Sequence, residues 1–171
     1  MAASILRKRV FDWLAPLLPV GKLIHADQDA PRPERPYAAL RLGTVKTQRH
    51  LFSDRPDGDG AVTYRENGYA YVEVQFYGGE ALEAADDAAR SLRAHAAVLR
   101  ASRLGIALAE VLQVQNVAAT LNESRYEARA MLELRVNFAQ EFQEQPGLIA
   151  EVEFTCFEDH TETVTAPAEQ S

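Results

Sequence analysis

At 171 residues the chain suits one domain with a real buried core. Its 47% hydrophobic and 25% charged residues are ordinary for a globular protein. The net charge of −7 argues against an open nucleic-acid surface, which needs clustered cations, but not against a protein that lets DNA pass without gripping it.

From the N-terminus, Leu6, Val10, Trp13, Leu14 and Leu17 fall at helical spacing with Arg7, Lys8 and Arg9 opposite. The pattern predicts a helix over residues 4–18 that stops near Pro16 or Pro19. Asp12 interrupts the apolar part, so this segment is not read as a secretory signal. Val20 to Ile24 suits a short strand, and Asp27 to Pro36 is a proline-rich connection. Pro36-Tyr37 then opens an alternating run whose more apolar side is Ala38, Leu40 and Leu42. Residues 53–68 form a hydrophilic interruption in which Ala61 to Tyr64 could start a hairpin.

The densest signal lies between Tyr69 and Ile106. Ala70, Val72, Val74 and Phe76 alternate with Tyr69, Tyr71, Glu73, Gln75 and Tyr77, a two-faced strand. Gly78-Gly79 ends it, because glycine reaches backbone angles that other residues avoid. Ala81, Ala85, Ala88, Ala89, Leu92, Ala96 and Leu99 then form a helical stripe opposed by Glu83, Asp86, Asp87, Arg90 and Arg93. One long alanine-rich helix, packed on the Val72/Val74/Phe76 face, is the expectation. Leu104-Gly105-Ile106 turns the chain into a strand over residues 108–117. Tyr126 to Phe138 is the clearest strand, with apolar even positions and, Met131 apart, polar odd ones. Ile149 to Phe157 returns as another strand. The remainder is acidic and without period, so residues 1–158 are read as one domain and 159–171 as a flexible acidic tail. The fold class is α+β: a mostly antiparallel sheet backed by the long helix, with an additional N-terminal helix.

The titratable clusters carry no catalytic or metal-binding pattern. Asp57, Asp59, Gly60, Val62 and Glu66 match the third, fifth, sixth, eighth and twelfth places of an EF-hand loop, but the first place is Arg55. A cation there opposes the metal, so the loop reads as a solvated turn. His25, His50, His95 and His160 are scattered without ligand spacing. The lone Cys156 can form neither an internal disulfide nor a thiolate site, which favours a reducing compartment. Asp86-Asp87 diverge by about a hundred degrees on a helix. Gly78-Gly79 lacks a phosphate-loop pattern, and Glu80 and Glu83 would repel phosphate. No cofactor, metal or catalytic residue is assigned, and no segment reaches the ~18 apolar residues of a membrane span. What remains is surface. Tyr71, Glu73, Gln75 and Tyr77 on one strand, and Arg129, Glu133 and Arg135 on another, carry the aromatic and arginine enrichment of an interface.

The order of these motifs carries a resemblance. A helix precedes Pro36-Tyr37; Tyr71-Val-Glu-Val-Gln-Phe-Tyr-Gly78 leads into an alanine-rich helix; Leu104-Gly-Ile106 follows; Tyr126-Glu-Ala-Arg129 opens a long strand; Ile149-x-x-Val152 closes the set. Over residues 5–157 this resembles the neck and tail-terminator proteins of long-tailed bacteriophages. The resemblance implies a non-catalytic virion subunit that forms a ring, commonly a hexamer, at the head-proximal end of the tail tube. There it stops tube polymerisation and joins the tail to the neck connector, with DNA passing through the lumen. Implied partners are further copies of the chain, the tail tube and neck proteins, with sheath as a further candidate, and no membrane. Assembly is placed in the host cytoplasm. Tyr71, Glu73, Gln75, Tyr77, Arg129, Glu133 and Arg135 are candidate contacts in such a ring, and Asp54, Asp57, Asp59 and Glu66 a candidate lumen or interface loop. Alternatives are another connector, completion or tube subunit of the virion, a ligand-binding α+β domain or small enzyme, or a host dimeric domain.

Overall fold

Period-two alternation builds the sheet, and small residues at helical spacing build the layer that covers it. The structure, a computed structural model, describes residues 3–29, 31–117, 119–122, 125–146, 151–155 and 161–165. In chain order the elements are α1 (Ala3–Leu14), β1 (Leu23–His25), β2 (Tyr37–Ser53), β3 (Val62–Tyr77), α2 (Ala81–Ser91), α3 (His95–Arg103), β4 (Ile106–Asn116), β5 (Ala119–Asn122), β6 (Arg125–Glu127), β7 (Arg129–Glu144), β8 (Glu151–Thr155) and β9 (Thr161–Thr165). The architecture is α+β with mostly antiparallel pairing. The main sheet has five strands in the order β1-β2-β3-β7-β4, with β1 parallel to β2 and β4 antiparallel to β7.

The chain divides into two compact units: Met1–His50 with Glu66–Gln140, and Leu51–Arg65 with Glu141–Ser171. In the first, one sheet face is buried. Ala70, Val72, Val74 and Phe76 of β3 join Ala130, Leu132, Leu134, Val136 and Phe138 of β7 in a core with Leu6, Val10, Trp13 and Leu14 of α1. Ala81, Ala85, Ala88 and Ala89 of α2 complete it, small enough to let that helix lie close to the strands. Trp13 is fully buried and donates its Nε1–H to the Ala97 carbonyl at 3.0 Å, tying α1 to α3. Arg100 of α3 answers with two bonds, of 2.9 and 3.1 Å, to the Asp12 carbonyl near the end of α1.

The single long helix is corrected to two. The chain leaves α-geometry after Ser91, where the Arg93 and Ala94 amides bond three residues back, and Ala94 is extended at ψ 146°. Restarting at His95 shifts the phase of the stripe. Ala97 and Ala101 are therefore buried, while Ala96 and Leu99, expected inward, are exposed. The long strand from Tyr126 is also corrected, since it breaks at Ala128, whose carbonyl accepts the Gly78 amide at 2.9 Å. Glu127, expected on the wet face, is consequently buried, and Ala128 is exposed.

The second unit contains the hairpin tip between β2 and β3. Asp57 Oδ1 accepts the amides of Asp59 (3.0 Å) and Ala61 (2.8 Å), and Gly60 turns at φ 78°. Tyr64 stacks on Phe142 with ring centroids 5.1 Å apart. β8 pairs antiparallel with β9, so Thr161–Thr165, within the segment read as a tail, is a strand. The rest of that segment, and the ends of the strand expected over Ile149 to Phe157, lie outside the described residues.

Gly68 marks the closest approach in the first unit. A Cβ there would stand 2.5 Å from Phe138 Cζ and 2.7 Å from the Lys46 carbonyl oxygen. Since Phe138 is 5% exposed, its ring has little room to move. Gly68→Ala is expected to lower the unfolding free energy by about 1–3 kcal/mol in chemical denaturation. An unchanged midpoint would contradict the packing described.

Candidate assembly surface

The helices cover one face of the main sheet and leave the other to be finished differently. On the outer face, Tyr71 is 36% exposed, and Glu73, Gln75 and Tyr77 are half-buried. Tyr69 meets Tyr71 edge-on at 5.7 Å. Tyr71 and Glu73 border a shallow groove of about 350 Å³ with Gly43 and Thr44 of β2, Glu133 of β7 and Leu112 of β4. Gln113 Nε2 donates to Glu133 at 2.9 Å, and Arg135 reaches Glu110 at 3.6 Å. The structure thus gathers Tyr71, Glu73 and Glu133 at one groove, with Leu112 as an apolar neighbour that alternation alone did not single out.

Gln75, Tyr77 and Arg129 belong to a different arrangement. Glu127, whose side chain is completely buried, is gripped by Arg35 and Arg129. Arg129 Nε donates to Glu127 Oε2 at 2.5 Å, while Arg35 meets Oε1 as an ion pair rather than an aligned hydrogen bond. The Arg129 guanidinium lies over the Tyr77 ring, 5.1 Å from its centroid. Tyr77 in turn stacks on Tyr37 at 4.7 Å and donates to Gln75 Oε1 at 2.5 Å, and Gln75 donates to Glu73. Burial pushes the Tyr77 phenol above its usual range, with Arg129 opposing that shift. This chain of contacts pins the end of β3 to the start of β7, beside the Gly78–Gly79 turn. A Cβ on Gly78, at φ +79°, would collide with the Arg35 side chain at 2.7 Å. Arg129 is therefore occupied within the chain's own fold rather than free on its surface. Sequence reasoning missed Arg35, Tyr37 and Glu127; the available signal was the Glu127-x-Arg129 spacing, which places two opposite charges on one side of an extended segment.

The acidic loop divides in the same way. Asp57 is spent on its turn, and Arg65 holds Glu141 at 2.7 Å and Asp54 at 3.5 Å. Those two carboxylates raise the pKa of Arg65, first through the Glu141 hydrogen bond. Asp59 is exposed. Glu66, in the first unit, accepts from Gln140. Among the described residues no group of three or more His, Cys, Asp or Glu side chains could hold a metal ion. No helix among them is long and apolar enough to cross a membrane.

Glu127→Gln keeps the side chain's size and removes the charge that two arginines share. Because the Arg35 side chain is 48% exposed, part of that attraction is screened, and the expected loss is about 2–3 kcal/mol rather than that of a wholly buried pair. Denaturant unfolding measures it, and a loss below about 0.5 kcal/mol, typical of a surface substitution, would show that the carboxylate does not hold this corner together.

A comparison with curated proteins finds no match. A family model does match, described as phage neck terminator protein, and it spans residues 4–164. The match runs through α1, the five strands of the main sheet, both alanine-rich helices and the β8–β9 pair. The chain belongs to the phage neck terminator protein family, a structural component of the phage tail and neck.

Proposed function

We propose that the protein forms a closed ring, of six copies as its likeness to tail-terminator proteins implies, at the head-proximal end of a phage tail tube. The ring ends tube polymerisation and joins the tail to the neck connector, and DNA passes through its lumen. The observation that carries the reading is the half-finished sheet: helices bury one face, while the other presents Tyr71 and Leu112, 36% and 39% exposed, around a groove that Glu73 and Glu133 also line. Large exposed side chains rimmed by polar groups suit a surface that meets a neighbour. Family membership supplies the location, in the virion tail and neck.

Roles divide along the geometry. Tyr71, Glu73, Glu133 and Arg135 face neighbouring subunits or the tube and neck proteins, with sheath as a further partner. Gln75, Tyr77 and Arg129 hold the surface in shape from inside. At the hairpin tip, Asp59 is the carboxylate without an intramolecular duty among those described, and with Asp54 it faces the lumen. Carboxylates on a pore wall repel phosphates and let a genome slide, where cations would retain it. Nothing in this role calls for catalysis. Subunits made in the host cytoplasm assemble there on completed tubes.

A phage from which this gene is deleted tests the function directly by electron microscopy. The expected particles are tails of uncontrolled length, separate from filled heads. Tails of normal length joined to heads would overturn the proposal.

A further inference from the structure

The main sheet ends in two unlike open edges. β4 is its terminal strand, and no strand among the described residues lies beyond it. Apart from its buried first residue, every residue of β4 is half-buried or exposed, and Leu112 is 39% exposed. On the opposite side, β1 covers only Ala38, Ala39 and Leu40 of β2, and the Ala26 amide adds one further rung to the Leu40 carbonyl. β2 runs on past this cover, and Gly43 to Gln48 are all exposed. Thr44, Val45 and Thr47 give this run strong strand character, yet none of its side chains is buried.

We infer that these edges pair with one another between copies: the Gly43–Gln48 edge of β2 in one subunit bonds to the β4 edge of the next, so that the sheet continues around the ring. The inference rests on the ring proposed above and names the contact that closes it. Unpaired strand edges present ordered main-chain donors and acceptors, which is how a second chain is added to a sheet. A head-to-tail ring requires two different, mutually complementary surfaces on each subunit, and opposite edges of one sheet meet that requirement.

Charge selects the mixed pairing over the two alternatives. The β2 edge region carries Arg41 and Lys46, and Arg41 has only a 4.0 Å contact to Asp27. The β4 edge carries Glu110, 51% exposed and 3.6 Å from Arg135. Joining β2 to β2 would oppose cations, and joining β4 to β4 would oppose carboxylates, whereas β2 to β4 sets Arg41, which shares the outer face of the sheet with Glu110, against that carboxylate. β4 is also bulged between Leu108 and Glu110 and between Val111 and Gln113. A bulged edge resists arbitrary strands and narrows pairing to one that matches its twist.

Hydrogen exchange read by mass spectrometry tests this, with the full chain compared as assembled rings and as dissociated subunits. Amides in residues 43–48 and in residues 109–115 should both exchange at least about tenfold more slowly in the ring, the change expected from a closed main-chain ladder. A charge swap supplies the second arm. Arg41→Glu should reduce the ring fraction, and adding Glu110→Lys should restore it. Rings in which either edge exchanges as in the free subunit would overturn the inference and leave the ring itself standing. A two-fold dimer with only one edge protected would overturn it in favour of like-edge pairing. A chain that stays monomeric both in solution and on the particle would overturn the inference and the ring together.

Discussion

One-sided burial is the constraint from which the rest follows. Three helices cover one face of the five-stranded sheet, and the alanines of α2 and α3 bring them down onto Val72, Val74, Phe76, Leu132, Leu134 and Val136. A sheet made this way satisfies its core but leaves an open face and two open edges. Tyr71, Leu112 and Val45 remain exposed together with unpaired backbone groups, and any neighbour that covers them gains apolar burial and hydrogen bonds at once.

The corner around Glu127 keeps that open surface in one shape. A buried carboxylate between two arginines is a costly device unless both partners stay in place, since removing either leaves charge without compensation. Its geometry links three separate parts of the chain: Arg35 ahead of β2, Tyr77 at the end of β3, and Arg129 at the start of β7. The Gly78 amide bonds to the Ala128 carbonyl at the same corner, so the turn into α2 is fixed there as well. Residues that look like interface arginines and tyrosines in the sequence thus act partly as internal fasteners, and the groove beside them inherits their rigidity.

Much of this was legible in the residues, and the exceptions have physical causes. The β3 alternation was plain because one face is fully buried and the other is not, and Gly78-Gly79 announced its end. The division of the helix was hidden because Leu92, Arg93 and Ala94 include neither glycine nor proline. The break comes from tertiary packing, with Ala97 meeting Trp13, and not from local propensity. Period two carried through Ala128 puts Glu127 on the wet face, but a long-range hydrogen bond from Gly78 resets the strand there. A charge balanced by partners distant in sequence leaves no periodic trace. Of the candidate surface, Tyr71, Glu73 and Glu133 converge as alternation implies, while Leu112 required knowledge of which strand lies beside β7.

For a neck terminator, we propose that identical copies of the chain close a ring by using what the fold leaves uncovered. A structure of the intact particle at the junction of head and tail is the most direct test. The expected result is a closed ring of this chain capping the tube, with adjacent sheets in contact and acidic side chains facing the DNA. A single copy at that junction, or a ring whose pore is lined chiefly by lysine and arginine and whose sheets face solvent on every side, would contradict it.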